Sequence, residues 1–163
     1  MKTFVTLAFG LAVTAPAGAQ PVTGIAAMQY YVGTWSCTAG PVGSPPSSAT
    51  ATYTLDSGVV RGWIVVPPQG QMTSPYVITT AASYDTKNGR YVKTQLDSEA
   101  AWSVSTAVPW SGNTEQWTDT ATNDGKLHRG QTVRTDQNSF TFTAYPAPTA
   151  TQPDFQGTCT RSS

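Results

Sequence analysis

The stretch SATATYTLDSG, residues 48–58, contains the pattern that decides the fold. Its apolar residues stand at every second position from Ala49 to Leu55, and serine or threonine fills the positions between them. Because successive side chains of a strand point to opposite faces, this alternation predicts a strand with one buried and one polar face. Residues 56–58 then predict a tight turn, after which residues 59–66 run back as the next strand.

The same succession of short strands and turns continues along the rest of the chain. Asn88-Gly89 and residues 123–125 are strong hairpin signals, and a proline-rich loop covers residues 146–153. A short helix between residues 23 and 32 precedes the strands, since its apolar residues recur at helical spacing. The sequence therefore predicts an all-β fold, an antiparallel up-and-down arrangement of about ten strands with a short N-terminal helix.

Two cysteines lie near the ends of this predicted sheet. Cys37 falls in the first strand and Cys159 in the last. A bond between them requires those strands to lie within about 4–7 Å of each other, which a flat meander does not allow and a closed barrel does. A β-sandwich, whose first and last strands can also meet, remains open, as do two buried free thiols. The disulfide would close almost the whole domain and contribute about 4–5 kcal/mol through loop-closure entropy.

The first nineteen residues have the composition of a signal peptide. Lys2 precedes an apolar run at residues 4–13, and Ala17-Gly18-Ala19 matches the small residues that signal peptidase accepts. The run is too short to cross a bilayer, so we expect cleavage before Gln20 and no transmembrane segment. An N-terminal core helix is the alternative. The prediction is a signal peptide at 1–19, one domain at 20–163, and export to the periplasm or the extracellular space.

The charge and composition exclude several classes of function. The chain has nine Lys and Arg, nine Asp and Glu, and only 11% charged residues, so nothing favours binding to nucleic acid. Its five Trp, seven Tyr and five Phe supply a core that a disordered chain would lack. Two cysteines and one histidine do not make a zinc site, and no nucleotide-binding or hydrolase motif is present in the sequence.

Gly33-Thr34-Trp35 after a short helix, together with Tyr84-Asp85 and residues 89–91, resembles calycin-type barrels. These include lipocalins, nitrobindin-like barrels and lipocalin-like families of unassigned function. The resemblance implies a small barrel whose interior holds an apolar molecule or a cofactor.

Two further roles follow from this resemblance. In nitrobindin-like barrels a late-strand histidine binds haem iron, which makes His128 the haem candidate; a solvent-facing hairpin histidine is the alternative. In calycin barrels an arginine packs on a tryptophan near the closed end, which implies a structural cation–π pair between Trp35 and Arg134.

Aromatic side chains supply the candidate ligand contacts. Arg61 and Trp63 share one face of a strand, and an interior position would favour a carboxylate-bearing ligand. Rings that simply fill the core are the alternative interpretation. The predicted ligand-binding residues are Tyr53, Arg61, Trp63, Tyr91, Trp102 and Trp117.

These patterns favour a binding module over an enzyme. We predict a barrel that holds a small apolar or amphipathic molecule, without catalytic residues and without a required cofactor or metal. The first alternative is a barrel enzyme of the cyclase or isomerase type that uses Arg61 or Glu115. The second is an inert structural protein of the cell envelope.

Overall fold

The computed structural model describes residues 24–162. The predicted signal peptide at 1–19 lies outside the described residues. A four-residue helix, α1 (Ile25–Met28), continues into a 3₁₀ turn at Gln29–Tyr31. Ten strands follow, namely β1 (Gly33–Pro41), β2 (Ser47–Asp56), β3 (Val59–Val66), β4 (Tyr76–Asp85), β5 (Arg90–Asp97), β6 (Trp102–Ala107), β7 (Thr114–Thr122), β8 (Arg129–Asp136), β9 (Ser139–Tyr145) and β10 (Phe155–Arg161).

The strands form one closed antiparallel barrel. Each strand pairs with the next along the chain, and β10 pairs with β1 to complete the ring. This confirms the predicted all-β, up-and-down barrel with a short N-terminal helix. No helix in residues 24–162 is long and apolar enough to cross a membrane.

The alternation at residues 48–58 has the predicted effect. Ala51 is buried in the interior, and its neighbour Thr52 points outward. In β3, opposite β2, the interior position facing Tyr53 is occupied by Gly62. A Cβ atom there would lie 2.5 Å from the Tyr53 ring, so glycine makes room for the aromatic side chain.

A disulfide joins the two strands at which the barrel closes. Cys37 of β1 lies directly opposite Cys159 of β10, with their Cα atoms 4.1 Å apart, and the two are bonded. Both cysteines are buried and point into the barrel. The predicted disulfide is confirmed, and the sandwich and free-thiol alternatives are wrong.

One end of the barrel is closed by the helix and the 3₁₀ turn. Met28 and Tyr31 are buried there against Trp35, whose indole nitrogen donates to the Tyr31 carbonyl at 2.7 Å. Phe140 packs edge-on against Trp35 with ring centroids 4.8 Å apart. The opposite end has no comparable cover within the described residues.

Two arginines hold this closing segment in place. Arg161 of β10 donates to the carbonyls of Val32 at 2.6 Å and Tyr30 at 2.8 Å. Its guanidinium lies 4.3 Å from the centroid of Trp35, so Arg161 is the cation–π partner of that ring. The predicted pairing of Trp35 with Arg134 is therefore wrong.

Arg134 has a parallel role on β8. It donates to the Ala27 carbonyl at 2.8 Å, and its guanidinium stacks 3.5 Å from the centroid of Trp110. Trp35 pairs with Arg161 and not with Arg134 because Arg161 is on β10, the strand that pairs with β1. In the register of these two strands Arg161 lies directly opposite Trp35.

Candidate functional site: the barrel interior

The barrel encloses a cavity of about 400 Å³. It runs from Met28 and Tyr31 at the closed end to Val66 and Phe155 near the opposite end. Its volume lies within the range of about 300–1,000 Å³ that is typical of small-molecule sites.

The cavity is large because small residues face it from several strands. Ala49 and Ala51 of β2, Ala82 of β4 and Gly130 of β8 all line it. An extended set of apolar side chains completes this wall, which we call the apolar wall: Val60, Ile64, Val66, Ile78, Phe140, Phe142 and Phe155.

The other side of the interior is polar. Lys93 and Gln95 of β5, Ser105 of β6 and Asp119 of β7 line a second space that extends to the mouth of the barrel. Lys93, Gln95 and Trp117 border both spaces, so the two are halves of one interior. We call this side the polar wall.

Lys93 is the charged side chain at the junction of the two walls. Its ammonium lies 4.6 Å from the ring centroid of Trp117. Burial lowers the pKa of Lys93, although the charges of Glu115 and Asp119 act in the opposite direction. Among the described residues, no carboxylate lies within the 4.0 Å of its ammonium that defines an ion pair. Lys93 is therefore a partly buried cation without a direct counterion.

Glu115 of β7 lies deeper, at the closed end, and is only 1% exposed. One of its oxygens, Oε2, accepts hydrogen bonds from the Tyr31 hydroxyl and the Trp117 indole, both at 2.8 Å. The other oxygen, Oε1, is buried without a hydrogen-bond partner among the described residues. Burial raises the pKa of the Glu115 carboxyl, and the two hydrogen bonds reduce that shift.

Asp119 of β7 is held by neighbours at the mouth. Ser105 donates to its Oδ1 at 2.7 Å, and the backbone amide of His128 donates to its Oδ2 at 3.1 Å. The Nδ1 atom of His128 is 3.2 Å from the same Oδ2. In a serine-hydrolase triad the histidine lies between the serine and the carboxylate. Here Ser105 and His128 each contact Asp119 and do not contact each other.

Three of the predicted ligand-binding residues lie inside the barrel. Tyr53 and Trp117 line the cavity. Tyr91 is fully buried at the closed end, where its hydroxyl donates to the Gly24 carbonyl at 3.0 Å. Burial raises the pKa of Tyr53 and of Tyr91 to about 12, so both phenols are neutral.

The other three lie on the outside. Arg61 and Trp63 share a face as predicted, but it is the outer one, and Trp63 is 54% exposed. Their neighbours Val60, Gly62 and Ile64 occupy the interior positions of β3, so the interior placement of Arg61 and Trp63 is wrong. Trp102 is 43% exposed on the outer face of β6, at the rim of the polar wall.

Sequence reasoning missed Lys93, although a signal for it exists. Lys93 lies two positions after Tyr91, so a period of two assigns both to one face of β5. Charged residues are usually exposed, so a lysine is normally assigned to the outer face of a strand.

The haem hypothesis finds no support in the position of His128. Its side chain is 46% exposed at the mouth, next to Asp119, and does not border the apolar wall. A porphyrin bound through His128 would have its iron at this polar rim, so the residues do not fit the group. Residues 24–162 contain no cluster of three or more His, Cys, Asp or Glu side chains that would hold a metal ion.

No protein-family model matches the sequence, and no curated protein matches it. Among solved structures, a redesigned β-barrel has a TM-score of 0.49 at 12% identity, covering 88% of this chain and 100% of its own. The structure of EF1p2_mFAP2b bound to DFHBI has a TM-score of 0.36 at 17% identity, covering 86% and 100%. A redesigned barrel, mFAP1, bound to DFHBI has a TM-score of 0.33 at 17% identity, covering 82% and 96%.

Proposed function

We propose that this protein is an exported, calycin-like barrel that binds a small apolar or amphipathic molecule in its interior. The observation that carries the proposal is the cavity of about 400 Å³, bounded by an apolar wall and open toward a polar mouth. An inert structural barrel would gain stability by filling this space with larger side chains, since an empty cavity costs packing energy.

Export rests on separate observations. The first nineteen residues have the composition of a signal peptide, and the Cys37–Cys159 disulfide suits an oxidising compartment. Mass spectrometry of the protein from its own source tests this part of the proposal. The expected mature chain begins at Gln20; an intact Met1 or a reduced protein would contradict it.

Gly130 gives a direct test of binding in the cavity. A Cβ atom there would have its nearest neighbour, the Thr143 carbonyl oxygen, at an ordinary 3.8 Å, so a larger side chain can extend into the open space. We expect the neutral fluorophore N-phenyl-1-naphthylamine to bind wild-type protein, and Gly130→Phe to weaken binding by at least about tenfold.

Gln116→Phe is the matched control, because Gln116 is exposed on the outer face of β7. It should bind the fluorophore like the wild type. Absence of a fluorescence change with the wild-type protein, or equal binding by Gly130→Phe and the control, would contradict interior binding.

A barrel enzyme is the second candidate function, and Lys93 is the observation that favours it. A desolvated ionisable group in a cavity is common at catalytic sites. The residues first assigned to such an enzyme are less suitable, since Arg61 lies outside and Glu115 is enclosed behind Tyr31 and Trp117. A molecule that is recovered from the protein chemically unchanged supports binding; recovery as a converted product supports the enzyme.

A further inference from the structure

We infer that the molecule bound in the cavity is an amphipathic anion whose acidic head group, a carboxylate or its equivalent, pairs with Lys93. This inference rests on the proposed function and specifies the class of ligand. The apolar body of such a molecule would contact the apolar wall, with the head group at the junction of the two walls.

Lys93 is a partly buried charge without a direct partner. Transfer of an ammonium group from water to an apolar interior is unfavourable unless a counterion or hydrogen-bond acceptors compensate for the lost hydration. Lys93 has the Trp117 ring on one side and no carboxylate within ion-pair distance among the described residues. A bound anion would supply the missing partner.

The two carboxylates whose charges act on Lys93, those of Glu115 and Asp119, lie beyond ion-pair distance of its ammonium. Asp119 accepts hydrogen bonds from Ser105 and from the His128 amide. Glu115 accepts from Tyr31 and Trp117 and has no contact with the cavity. The Oε1 atom of Glu115 has no partner but is enclosed at the closed end, and neither carboxylate forms a direct pair with the Lys93 ammonium.

The surroundings of Lys93 combine polar and apolar chemistry. Gln95 lies two residues further along the same face of β5 and borders both halves of the interior. Its amide can donate to a second oxygen of the head group. The apolar wall begins at Ala82, which is the direct cross-strand partner of Lys93 in β4. An anion with an apolar body matches both features at once.

Three ligands with about twelve carbon atoms each test the inference: dodecanoate, dodecanol and dodecylamine. They differ in the head group, which is an anionic carboxylate, a neutral hydroxyl or a cationic ammonium, and each is measured by displacement of N-phenyl-1-naphthylamine. We expect wild-type protein to bind dodecanoate at least about tenfold more tightly than dodecanol, and dodecylamine most weakly.

Substitution of the lysine gives the second part of the test. Lys93→Met should lose the preference for dodecanoate and bind dodecanol within about twofold of the wild type. Lys93→Arg, which keeps the charge, should retain the preference. Lys87→Met removes an exposed lysine from the turn between β4 and β5 and is the control, with all three affinities unchanged.

The possible outcomes separate the two proposals. Binding of none of the three ligands by wild-type protein would contradict the proposed function itself. Equal binding of dodecanoate and dodecanol would leave interior binding in place and overturn the inference, as would an undiminished preference in Lys93→Met. If Lys93→Met does not fold, the order of the three affinities measured with wild-type protein still tests the inference.

A zero-length cross-link gives an independent readout. Carbodiimide treatment of the dodecanoate complex should join the ligand to Lys93 through an amide, with loss of one water. Peptide mapping should then find the added mass on the peptide that contains Lys93. Labelling confined to exposed lysines would overturn the inference.

Discussion

Glu115 shows how a single buried residue connects the closing segment with the sheet. Its Oε2 atom accepts from Tyr31 of the 3₁₀ turn and from Trp117 of β7, and almost none of the residue is exposed. Because burial raises the pKa of its carboxyl, the folded protein binds a proton here more readily than the unfolded chain. The contribution of Glu115 to the free energy of unfolding is therefore fully present below its ordinary pKa of 4.5. It is lost as the pH rises through the raised pKa of the folded protein.

Glu115→Gln tests this effect of the buried carboxylate. The glutamine oxygen can still accept both hydrogen bonds, and the buried charge is removed. At pH 7 we expect the variant to unfold within about 1 kcal/mol of wild type or to be more stable, with a weaker pH dependence. Glu115→Ala, which leaves Tyr31 and Trp117 unpaired, should lose about 2–4 kcal/mol in urea denaturation. An equal loss in both variants would contradict the role of the carboxylate charge.

The orientation of individual side chains is the feature that the sequence predicts least well. The pattern of β3 shows that Arg61 and Trp63 share a face, but it does not show which face is buried. A large aromatic ring suggests the interior, whereas Val60, Gly62 and Ile64 occupy it. The interior position opposite Tyr53 accepts only a residue without a side chain, and this depends on the register between β2 and β3.

The closing segment is the element whose position depends most on side-chain contacts. Its helix is only four residues long and has no side-chain cap, so it gains little stability from its own hydrogen bonds. Arg161 and Arg134 compensate by donating to carbonyls of this segment and by stacking on Trp35 and Trp110.

Arg161→Met should loosen this segment. We expect a loss of about 2–3 kcal/mol in the free energy of unfolding, since two charge-assisted hydrogen bonds are removed. Hydrogen exchange should increase first at residues 25–32. Arg90→Met, which removes a half-exposed arginine of β5, is the control and should change neither quantity. Uniform destabilisation without faster exchange in residues 25–32 would contradict this role.

At the scale of elements, the sequence is informative because alternation and turn residues are local signals. The strands around residues 48–66 follow the predicted pattern closely. The start of β8 differs: the hairpin turn at residues 123–125 predicts a strand from Leu127, whereas β8 begins at Arg129. The amide of Asp119 still donates to the His128 carbonyl, but the amide of His128 donates to the side chain of Asp119 and not to its carbonyl. Such a side-chain contact is not visible in hydrophobic alternation.

For the whole molecule, closure of the barrel was predictable because the two cysteines are on the terminal strands. The cavity was not, because its volume depends on which alanines and glycines of different strands face one another. Ala49, Ala51 and Ala82 alternate like larger apolar residues, so the pattern alone does not distinguish an open interior from a filled core.

The disulfide gives a prediction for the whole molecule. It links residues 122 positions apart, so its removal releases almost the full length of the barrel in the unfolded state. We expect the double variant Cys37→Ala/Cys159→Ala to lose about 4–5 kcal/mol in urea denaturation. Wild-type protein unfolded in the presence of a reductant should match the variant. A difference below about 1 kcal/mol between the unfolding free energies of the wild type and the double variant would show that the closed barrel does not depend on the disulfide.

The position of that bond has another consequence. Cys37 and Cys159 line the cavity, and both are buried with their side chains pointing into the barrel. A small thiol reagent would therefore approach the sulfur atoms through the mouth, along the route by which a ligand enters. A molecule bound in the cavity would block that approach. In a reducing environment, the disulfide of the ligand-bound protein would then be reduced more slowly than that of the ligand-free protein. The lifetime of the cross-link would then report whether the barrel is loaded.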